Sequence, residues 1–216
     1  MPAAPQDEYG TTAACYDLLV EPLVRRIRRR VTELIAAGRY RLVLDCCCGT
    51  GRQARLLAAA PGRRVIGIDR SPAMLAQAGR NRSGGLDWVR ADARFLGLRS
   101  AAFDAAVVSF ALHEKSAPSA ARMLDELRRV LRPGGRLLVV DFAPPHHVWS
   151  RIAHRFIARI ERAAGRRHYR HYLAFIAAGG LAPLLTAARF RVSSCRHWFA
   201  DAVVVVEAES ELRRQF

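Results

Sequence analysis

Apolar positions along the chain recur at two different spacings. Across residues 16–38 they return every three or four residues, which predicts an amphipathic N-terminal helix. Beyond it, short apolar runs typical of buried strands alternate with stretches of helical spacing. The predicted strands cover residues 41–45, 64–69, 86–91, 104–109, 136–141, 191–197 and 201–208. The predicted helices between them cover residues 52–60, 72–80, 119–131, 147–164 and 180–189.

This alternation of strands and helices defines the fold class. Strands joined by helices at such spacing imply βαβ crossovers and a mostly parallel sheet. A turn at residues 132–135 precedes the fifth strand, and the last two runs lie close enough to form a hairpin with one antiparallel strand. We therefore predict an α/β fold with a seven-stranded sheet, in a single domain over residues 1–216 with an inserted helical lid at about 145–180.

The composition is that of an ordinary globular domain. Hydrophobic residues make up 51% of the chain and charged residues 25%, which excludes the disordered, collagenous and fibrous classes. The first residues lack the pattern of a secretory signal, and no window reaches the roughly 18–20 apolar residues of a spanning helix. We expect a cytoplasmic protein, and peripheral contact with a membrane stays open.

The cysteines argue against both disulfides and a metal site. There are 5 of them, an odd number, and Cys46, Cys47 and Cys48 follow one another at the end of a predicted strand. Consecutive side chains leaving a strand point in alternating directions, so these thiols cannot converge on one ion. We expect reduced thiols and no bound metal.

The chain is strongly basic, with a net charge of +16. Such a charge builds a field that attracts polyanions or an anionic membrane. Nearly all of the basic residues are arginine, and Lys115 is the single lysine. Two interpretations stay open: arginine-rich faces that are merely solvated, or a real anionic partner.

A glycine-rich loop over residues 45–51 joins the first predicted strand to the next helix. Its glycines allow the backbone to approach a ligand closely. Gly49, Gly51 and Ala54 also satisfy the dinucleotide fingerprint, and Asp69 lies about 20 residues further on, where an acid would hold ribose hydroxyls. The loop alone therefore permits a nicotinamide oxidoreductase.

Asp45 separates the alternatives for this loop. A carboxylate at this position repels a pyrophosphate but suits a cofactor that carries an amino group and a sulfonium, as S-adenosylmethionine does. A third acid, Asp92, follows the third strand. Asp45, Asp69 and Asp92 are thus expected at one edge of the sheet, at the carboxyl ends of its strands, where open α/β sheets bind ligands.

Five segments in this order resemble class I S-adenosylmethionine-dependent methyltransferases, in particular the group that contains the menaquinone and ubiquinone biosynthesis enzymes. The segments are LVLDCCCGTG, VIGIDRSPAMLAQA, WVRADARFLGL, FDAAVVSFALHE and LRRVLRPGGRLLVVDF. The resemblance covers about residues 16–142 well and the C-terminal third loosely. It implies a Rossmann-like three-layer sandwich and methyl transfer. One departure is Cys47, where the family usually has a glycine.

The resemblance also implies contacts with S-adenosylmethionine. Asp45 would contact its methionine part, Asp69 the ribose hydroxyls and Met74 the adenine face, while Ser109 and Phe110 would lie beside the sulfonium. The full set of implied cofactor-binding residues is Tyr16, Asp45, Cys47, Gly49, Gly51, Asp69, Arg70, Met74, Asp92, Ala93, Ser109 and Phe110.

The expected acceptor is a small lipophilic or aromatic molecule, such as a quinol, a phenol or a lipid head group. If an oxygen or carbon of a phenolic ring is methylated, a general base helps to deprotonate it. His113, just past the fourth strand, is the first candidate base because histidine titrates near neutral pH. Tyr169 and His171, in a basic and aromatic segment, are the next candidates.

The predicted helix at residues 147–164 leaves two interpretations open. It carries Trp149, Ile152 and Phe156 on one face and arginines elsewhere. In the first interpretation the apolar face packs on the core and the basic face is solvated. In the second the helix covers an apolar acceptor as a lid, or rests on an anionic membrane as basic amphipathic helices do.

Two other functional classes remain alternatives. An RNA methyltransferase would explain the charge, but residues 109–112 read Ser-Phe-Ala-Leu and lack the Asn/Asp-Pro-Pro-aromatic pattern that amino-methylating nucleic-acid enzymes carry there. Nucleic acid is therefore disfavoured as a partner. A non-catalytic accessory subunit that binds the cofactor is the second alternative, and the sequence does not indicate an oligomeric state.

Overall fold

An N-terminal helix precedes a series of alternating strands and helices. The structure is a computed structural model that describes residues 13–80 and 84–210, with side chains from residue 24 onward. The helices are α1 Ala13–Ala37, α2 Arg52–Ala58, α3 Pro72–Ala78, α4 Ala117–Val130, α5 Val148–Ala163, α6 Arg166–Ala177 and α7 Leu181–Ala187. The strands are β1 Leu42–Cys46, β2 Arg64–Asp69, β3 Leu86–Arg90, β4 Phe103–Ser109, β5 Leu131–Phe142, β6 Phe190–Trp198 and β7 Val203–Ser210.

The strands form one twisted sheet in the order β3-β2-β1-β4-β5-β7-β6. β1 pairs in parallel with β2 and β4, and the same direction continues outward to β3 and β5. β7 is inserted between β5 and β6 and runs antiparallel to both. The predicted seven-stranded, mostly parallel α/β sheet with one antiparallel strand in a C-terminal hairpin is confirmed.

Two local predictions need correction. Residues 132–135 are not a turn ahead of the fifth strand, because β5 begins at Leu131 and these residues form a bulge within it. The pairing passes from Phe103 with Leu131 to Ala105 with Arg136. The second correction is α6, a separate helix in the basic and aromatic segment. Its buried side chains are Tyr172 and Phe175, and the helical spacing is hard to recognise because its first five residues read Arg-Arg-His-Tyr-Arg.

α1 packs through a stripe of apolar residues at helical spacing. Ile27, Val31 and Ile35 recur every four residues and are buried. A side-chain hydrogen bond joins α1 to α2, because Gln53 Nε2 donates to Thr32 Oγ1 at 3.1 Å. α1 is thereby fixed beside the first turn of α2, where the glycine-rich loop ends.

α5 packs inward with its polar stripe, against α6 and the residues that follow β4 and β5. Ser150, His154 and Glu161 are buried, and their spacing places them on one face of the helix. Trp149 and Phe156, on the apolar face, are 67% and 60% exposed. The interpretation in which this apolar face packs on the core is therefore wrong. The polar stripe faces inward because the sheet beneath it ends in a buried polar layer around Asp141.

Candidate active site

A cavity of about 670 Å³ lies at the carboxyl ends of the central strands. This is the end at which open α/β sheets bind ligands, beside the point where the strand order reverses between β1 and β4. Residues after β1, β2, β3 and β4 form its floor. The junction between α5 and α6 covers it, with Glu161, Gly165 and His168 in its wall, and Val24 and Arg28 of α1 close another side.

Most of the cofactor contacts implied by the resemblance line this cavity. Those that do are Asp45, Cys47, Gly49, Asp69, Arg70, Met74, Asp92, Ala93, Ser109 and Phe110. The side chain of Tyr16 lies outside the described residues. Gly51 is not part of the lining, so its assignment as a cofactor contact stays a prediction. A Cβ built on Gly51 would come within 2.1 Å of the Trp88 ring, so this glycine makes room for Trp88.

The glycine-rich loop is held in a left-handed conformation. Cys47 has φ 59° and Gly49 has φ 54°. Only glycine adopts such angles without steric cost, so Cys47 occupies a position that favours glycine. The backbone N–H of Gly49 donates to Asp69 Oδ2 at 2.9 Å, and that of Ser71 donates to Asp69 Oδ1 at 2.9 Å. The loop and the Asp69 carboxylate therefore fix each other in position.

Asp45 is a buried carboxylate with an unsatisfied oxygen. It is 2% exposed at the end of β1, and its Oδ2 has no hydrogen-bond partner among the described residues. Burial raises the pKa of Asp45 to about 7, and the charge of Asp69 adds to this, while the Ala54 backbone and Arg28 oppose it. An unpaired buried oxygen that lines a cavity is suited to a ligand with a cationic donor.

Asp92 is ionised by contrast. Its carboxylate accepts hydrogen bonds from the guanidinium of Arg94, with Nη2 at 2.6 Å from Oδ2. The hydrogen bonds from Arg94 hold the pKa of Asp92 below its usual range. Asp45, Asp69 and Asp92 all line the same cavity.

His113 lies in the buried polar layer at the cavity wall. Its Nδ1 is 2.6 Å from Asp141 Oδ1, and its Nε2 is 3.5 Å from Glu161 Oε2. Burial disfavours the charged imidazole, but the carboxylates of Asp141 and Glu161 outweigh burial and raise the pKa of His113 to about 10. Both ring nitrogens thus face carboxylates. This placement differs from the one the sequence hypothesis assumed, in which His113 takes a proton from the acceptor.

His171 also lines the cavity, on α6. Burial and the charges of Arg167 and Arg170 lower the pKa of His171, so its neutral base form prevails near neutral pH. Tyr169 is not part of the cavity lining, contrary to the sequence hypothesis. It faces Arg162, whose guanidinium lies 4.7 Å from the ring centroid and donates to the hydroxyl at 3.1 Å.

Sequence reasoning missed Glu161 as a cavity residue. Its side chain is 2% exposed and lies close to His113 and His168. The sequence did contain a signal, because Glu161 falls on the same helical face as Ser150 and His154. An acid that shares a face with two polar residues in an arginine-rich helix indicates a buried polar stripe.

Comparison with known proteins agrees with this geometry. Residues 43–135 match the family described as methyltransferase domain. The chain contains a methyltransferase domain. It is 39% identical over 145 residues to the demethylmenaquinone methyltransferase of Thermus thermophilus, a match that covers 63% of this chain and 65% of that protein. It is 36% identical over 156 residues to the 2-phytyl-1,4-naphtoquinone methyltransferase of Synechococcus elongatus, covering 67% and 66%.

These matches span less than two thirds of the length of each relative. Among solved structures, the magnesium protoporphyrin IX methyltransferase ChlM of Synechocystis with bound SAH superposes with a TM-score of 0.63. Its sequence is 21% identical, and the match covers 86% of this chain and 83% of that one. The similarity shows that the methyltransferase domain has the Rossmann-like fold predicted from its sequence. The resemblance to the menaquinone and ubiquinone group is likewise confirmed.

The cofactor of the methyltransferase domain is S-adenosylmethionine, and the cavity fits it. The unpartnered Oδ2 of Asp45 suits the amino group of the methionine part. A Cβ built on Gly49 would meet nothing within 4 Å, so the loop leaves open space where a cofactor backbone can approach. Asp69 is oriented by two backbone donors and retains acceptor capacity for ribose hydroxyls.

Proposed function

We propose that this protein transfers a methyl group from S-adenosylmethionine to a small lipophilic acceptor of the quinol or phenol class. One observation carries this proposal: the cavity that contains the three strand-end acids continues to the wall formed by α5 and α6. Cofactor and acceptor would therefore share one enclosed space. The names of the relatives, which refer to demethylmenaquinone and phytylnaphthoquinone, support a quinol-like acceptor.

The chain's contribution to this reaction is mainly positioning. When bound, S-adenosylmethionine supplies an electrophilic methyl group on a sulfonium, so a well-aligned nucleophile needs little activation beyond loss of its proton. Phe110, at φ 52°, lies at the end of β4 with its ring 5.5 Å from that of Phe142. Phe110 and Met123 give the cavity an apolar wall near the strand ends, which orients an aromatic ring and excludes water.

Within this proposal His171 acts as the general base for the acceptor hydroxyl. It lines the cavity and is kept neutral, whereas His113 is engaged with carboxylates on both sides. Positioned general bases contribute roughly 10²–10⁴-fold to the rate. In this proposal His113 stabilises the wall of the cavity through Asp141 and Glu161. Tyr169 stabilises the packing of α6 against α5 through Arg162.

Turnover with defined acceptors tests the proposal. We expect S-adenosylhomocysteine to bind in calorimetry and demethylmenaquinol or a related quinol to be methylated, detected by mass spectrometry of the product. His171→Ala should lower kcat at least ~100-fold while cofactor affinity stays unchanged. Tight cofactor binding without turnover on quinols, phenols or phospholipid head groups would favour an accessory subunit instead. Unchanged kcat in His171→Ala would remove His171 from the mechanism.

We also propose that α5 rests on an anionic membrane surface, from which a lipophilic acceptor enters. Trp149, Ile152 and Phe156 are exposed together along one side of α5. The exposed arginines of α5 and α6 are Arg151, Arg155, Arg159, Arg162, Arg166, Arg167 and Arg170. Exposed apolar and basic residues on one helix are typical of helices that lie in a membrane interface. No helix in the described part of the chain is long and apolar enough to cross a membrane.

A further inference from the structure

Three side chains from different elements converge at the edge of the cavity. His113 follows β4, Glu161 lies in the last turn of α5 and His168 in the first turn of α6. One ligand atom of each lies within 4.8 Å of the other two. Gly165, with φ 124°, lies between α5 and α6, and Glu161 and His168 on its two sides are in contact.

The atoms of this cluster point toward a shared space. His168 Nε2 is 2.7 Å from Glu161 Oε2, and His113 Nε2 is 3.5 Å from the same oxygen. Nevertheless Glu161 Oε2 has no hydrogen-bond partner among the described residues, so the short contact lacks hydrogen-bond alignment. Three potential ligand atoms that lie this close together around one point can coordinate a single cation.

The outer nitrogens of both histidines face carboxylates. His113 Nδ1 is 2.6 Å from Asp141 Oδ1, and His168 Nδ1 is 3.4 Å from Glu114 Oε2. Histidines that bind metals almost always donate their second ring N–H to a carboxylate or carbonyl, which fixes the tautomer and leaves the other nitrogen free to coordinate. In His113 and His168 the Nε2 atoms are therefore the ones that can coordinate an ion.

Charge balance favours the same arrangement. Asp141 and Glu161, which are 0% and 2% exposed, place two carboxylates against the two ring nitrogens of His113. Buried carboxylates need compensating positive charge, which a proton on His113 supplies in part and a bound divalent cation would supply in full. Glu114 has its own partner, because Lys115 Nζ is 2.5 Å from its Oε1. A single divalent cation between the histidines would neutralise the remaining two charges.

We propose that His113, Glu161 and His168 form a binding site for one divalent transition-metal ion. Two imidazole nitrogens and one carboxylate oxygen are ligands that zinc and iron(II) take in proteins. Ligand atoms around a tetrahedral zinc ion are roughly 3.3–3.5 Å apart. The separation of 3.5 Å between His113 and Glu161 matches this, and the His168 contact must open by only about 0.6 Å.

Three protein ligands leave a coordination position for a further group. All three residues line the cavity, so this position faces the acceptor space. A hydroxyl or phenolate oxygen is the chemical class that would occupy it, since metal-bound oxygens lose a proton readily. This second step rests on the proposed methyl transfer, whereas the metal site itself does not.

Metal binding to the full chain tests the site without reference to activity. After chelator treatment, Zn²⁺ and Co²⁺ are titrated in separate samples, with bound metal counted by mass spectrometry and Co²⁺ followed by its visible absorption. We expect one equivalent to bind. Glu161→Gln and His168→Ala should each weaken binding at least ~100-fold, and Glu114→Gln, which leaves the ligands in place, by about 10–100-fold. Thermal unfolding shows whether each variant is folded.

Two control variants make the result specific. His171→Ala removes a histidine from the same helix and cavity and should leave metal affinity unchanged. His146→Ala disrupts an exposed cluster of His146, His147 and Asp201 that could also hold an ion, and one equivalent should still bind. Three outcomes would each overturn the proposal. Neither metal binds saturably, or Glu161→Gln and His168→Ala leave metal binding unchanged, or His146→Ala abolishes metal binding. None of these outcomes depends on turnover.

Discussion

At the scale of single residues, Asp45 connects cofactor binding to pH. Its pKa of about 7 means that protonation competes with an incoming ammonium group near neutral pH. We predict that the affinity for S-adenosylhomocysteine rises as the pH increases through 7, because the ionised carboxylate is the form that pairs. Asp45→Asn should weaken binding by about 10–100-fold, the value of a hydrogen bond to a charged group, and remove the pH dependence. Calorimetry at a series of pH values measures both effects.

The same substitution should stabilise the cofactor-free protein. The folded-state pKa lies above the ordinary value, so the favourable contribution of this carboxyl is present at low pH and lost as the pH rises through 7. Asp45→Asn should therefore raise the melting temperature more at about pH 8 than at about pH 5. Asp92→Asn is the matched control, because Arg94 keeps Asp92 ionised throughout. A pH dependence that persists in Asp45→Asn and disappears in Asp92→Asn would contradict this assignment.

At the scale of elements, β2, β3 and the glycine-rich loop meet at Trp88. A Cβ built on Gly67 would lie 2.4 Å from the Trp88 ring, and Gly67 pairs directly with Trp88 across the two strands. We predict that Gly67→Ala lowers the free energy of unfolding by about 1–3 kcal/mol through overpacking. Adding Trp88→Leu should recover much of that loss, which a double-mutant cycle in denaturant unfolding quantifies.

Gly84→Ala is the matched control for this packing effect. A Cβ on Gly84 would meet nothing within 4 Å, and its φ is not positive. We expect a change within about 0.5 kcal/mol, as for surface substitutions in general. Equal destabilisation by Gly67→Ala and Gly84→Ala would show that loss of glycine flexibility, and not contact with Trp88, sets the cost.

The sequence predicted those elements whose burial follows a regular pattern along the chain. Strands buried on both faces read as apolar runs, and the acids that follow them, such as Asp45 and Asp69, come together because parallel strands end at the same edge. α5 was harder because it carries both a polar and an apolar stripe. The polar stripe packs inward because His113 lies beside Glu161, and the Tyr172 hydroxyl and the Ala143 carbonyl lie beside His154. That surface is formed by residues distant in sequence, and so is the cluster with His168.

At the scale of the whole molecule, the net charge of +16 and the exposed side of α5 determine how the protein meets a lipid surface. We predict binding to vesicles that contain anionic phospholipid, weakening as salt screens the arginines. Phe156→Ala should lower vesicle affinity about tenfold, because it removes a large apolar group from the interface. Co-sedimentation with vesicles of graded anionic content measures this.

Phe95→Ala is the matched control for that substitution. Phe95 is 62% exposed and Phe156 60%, but Phe95 follows β3 and lies under the guanidinium groups of Arg94 and Arg122. Because both variants lose the same exposed side chain, a general effect of surface hydrophobicity would affect them equally. If the protein contacts the membrane through α5, only Phe156→Ala should lower vesicle affinity. Equal losses of vesicle affinity in the two variants would show that α5 is not the contact surface. RNA that binds as tightly as the vesicles and displaces them would show that the basic residues bind another partner.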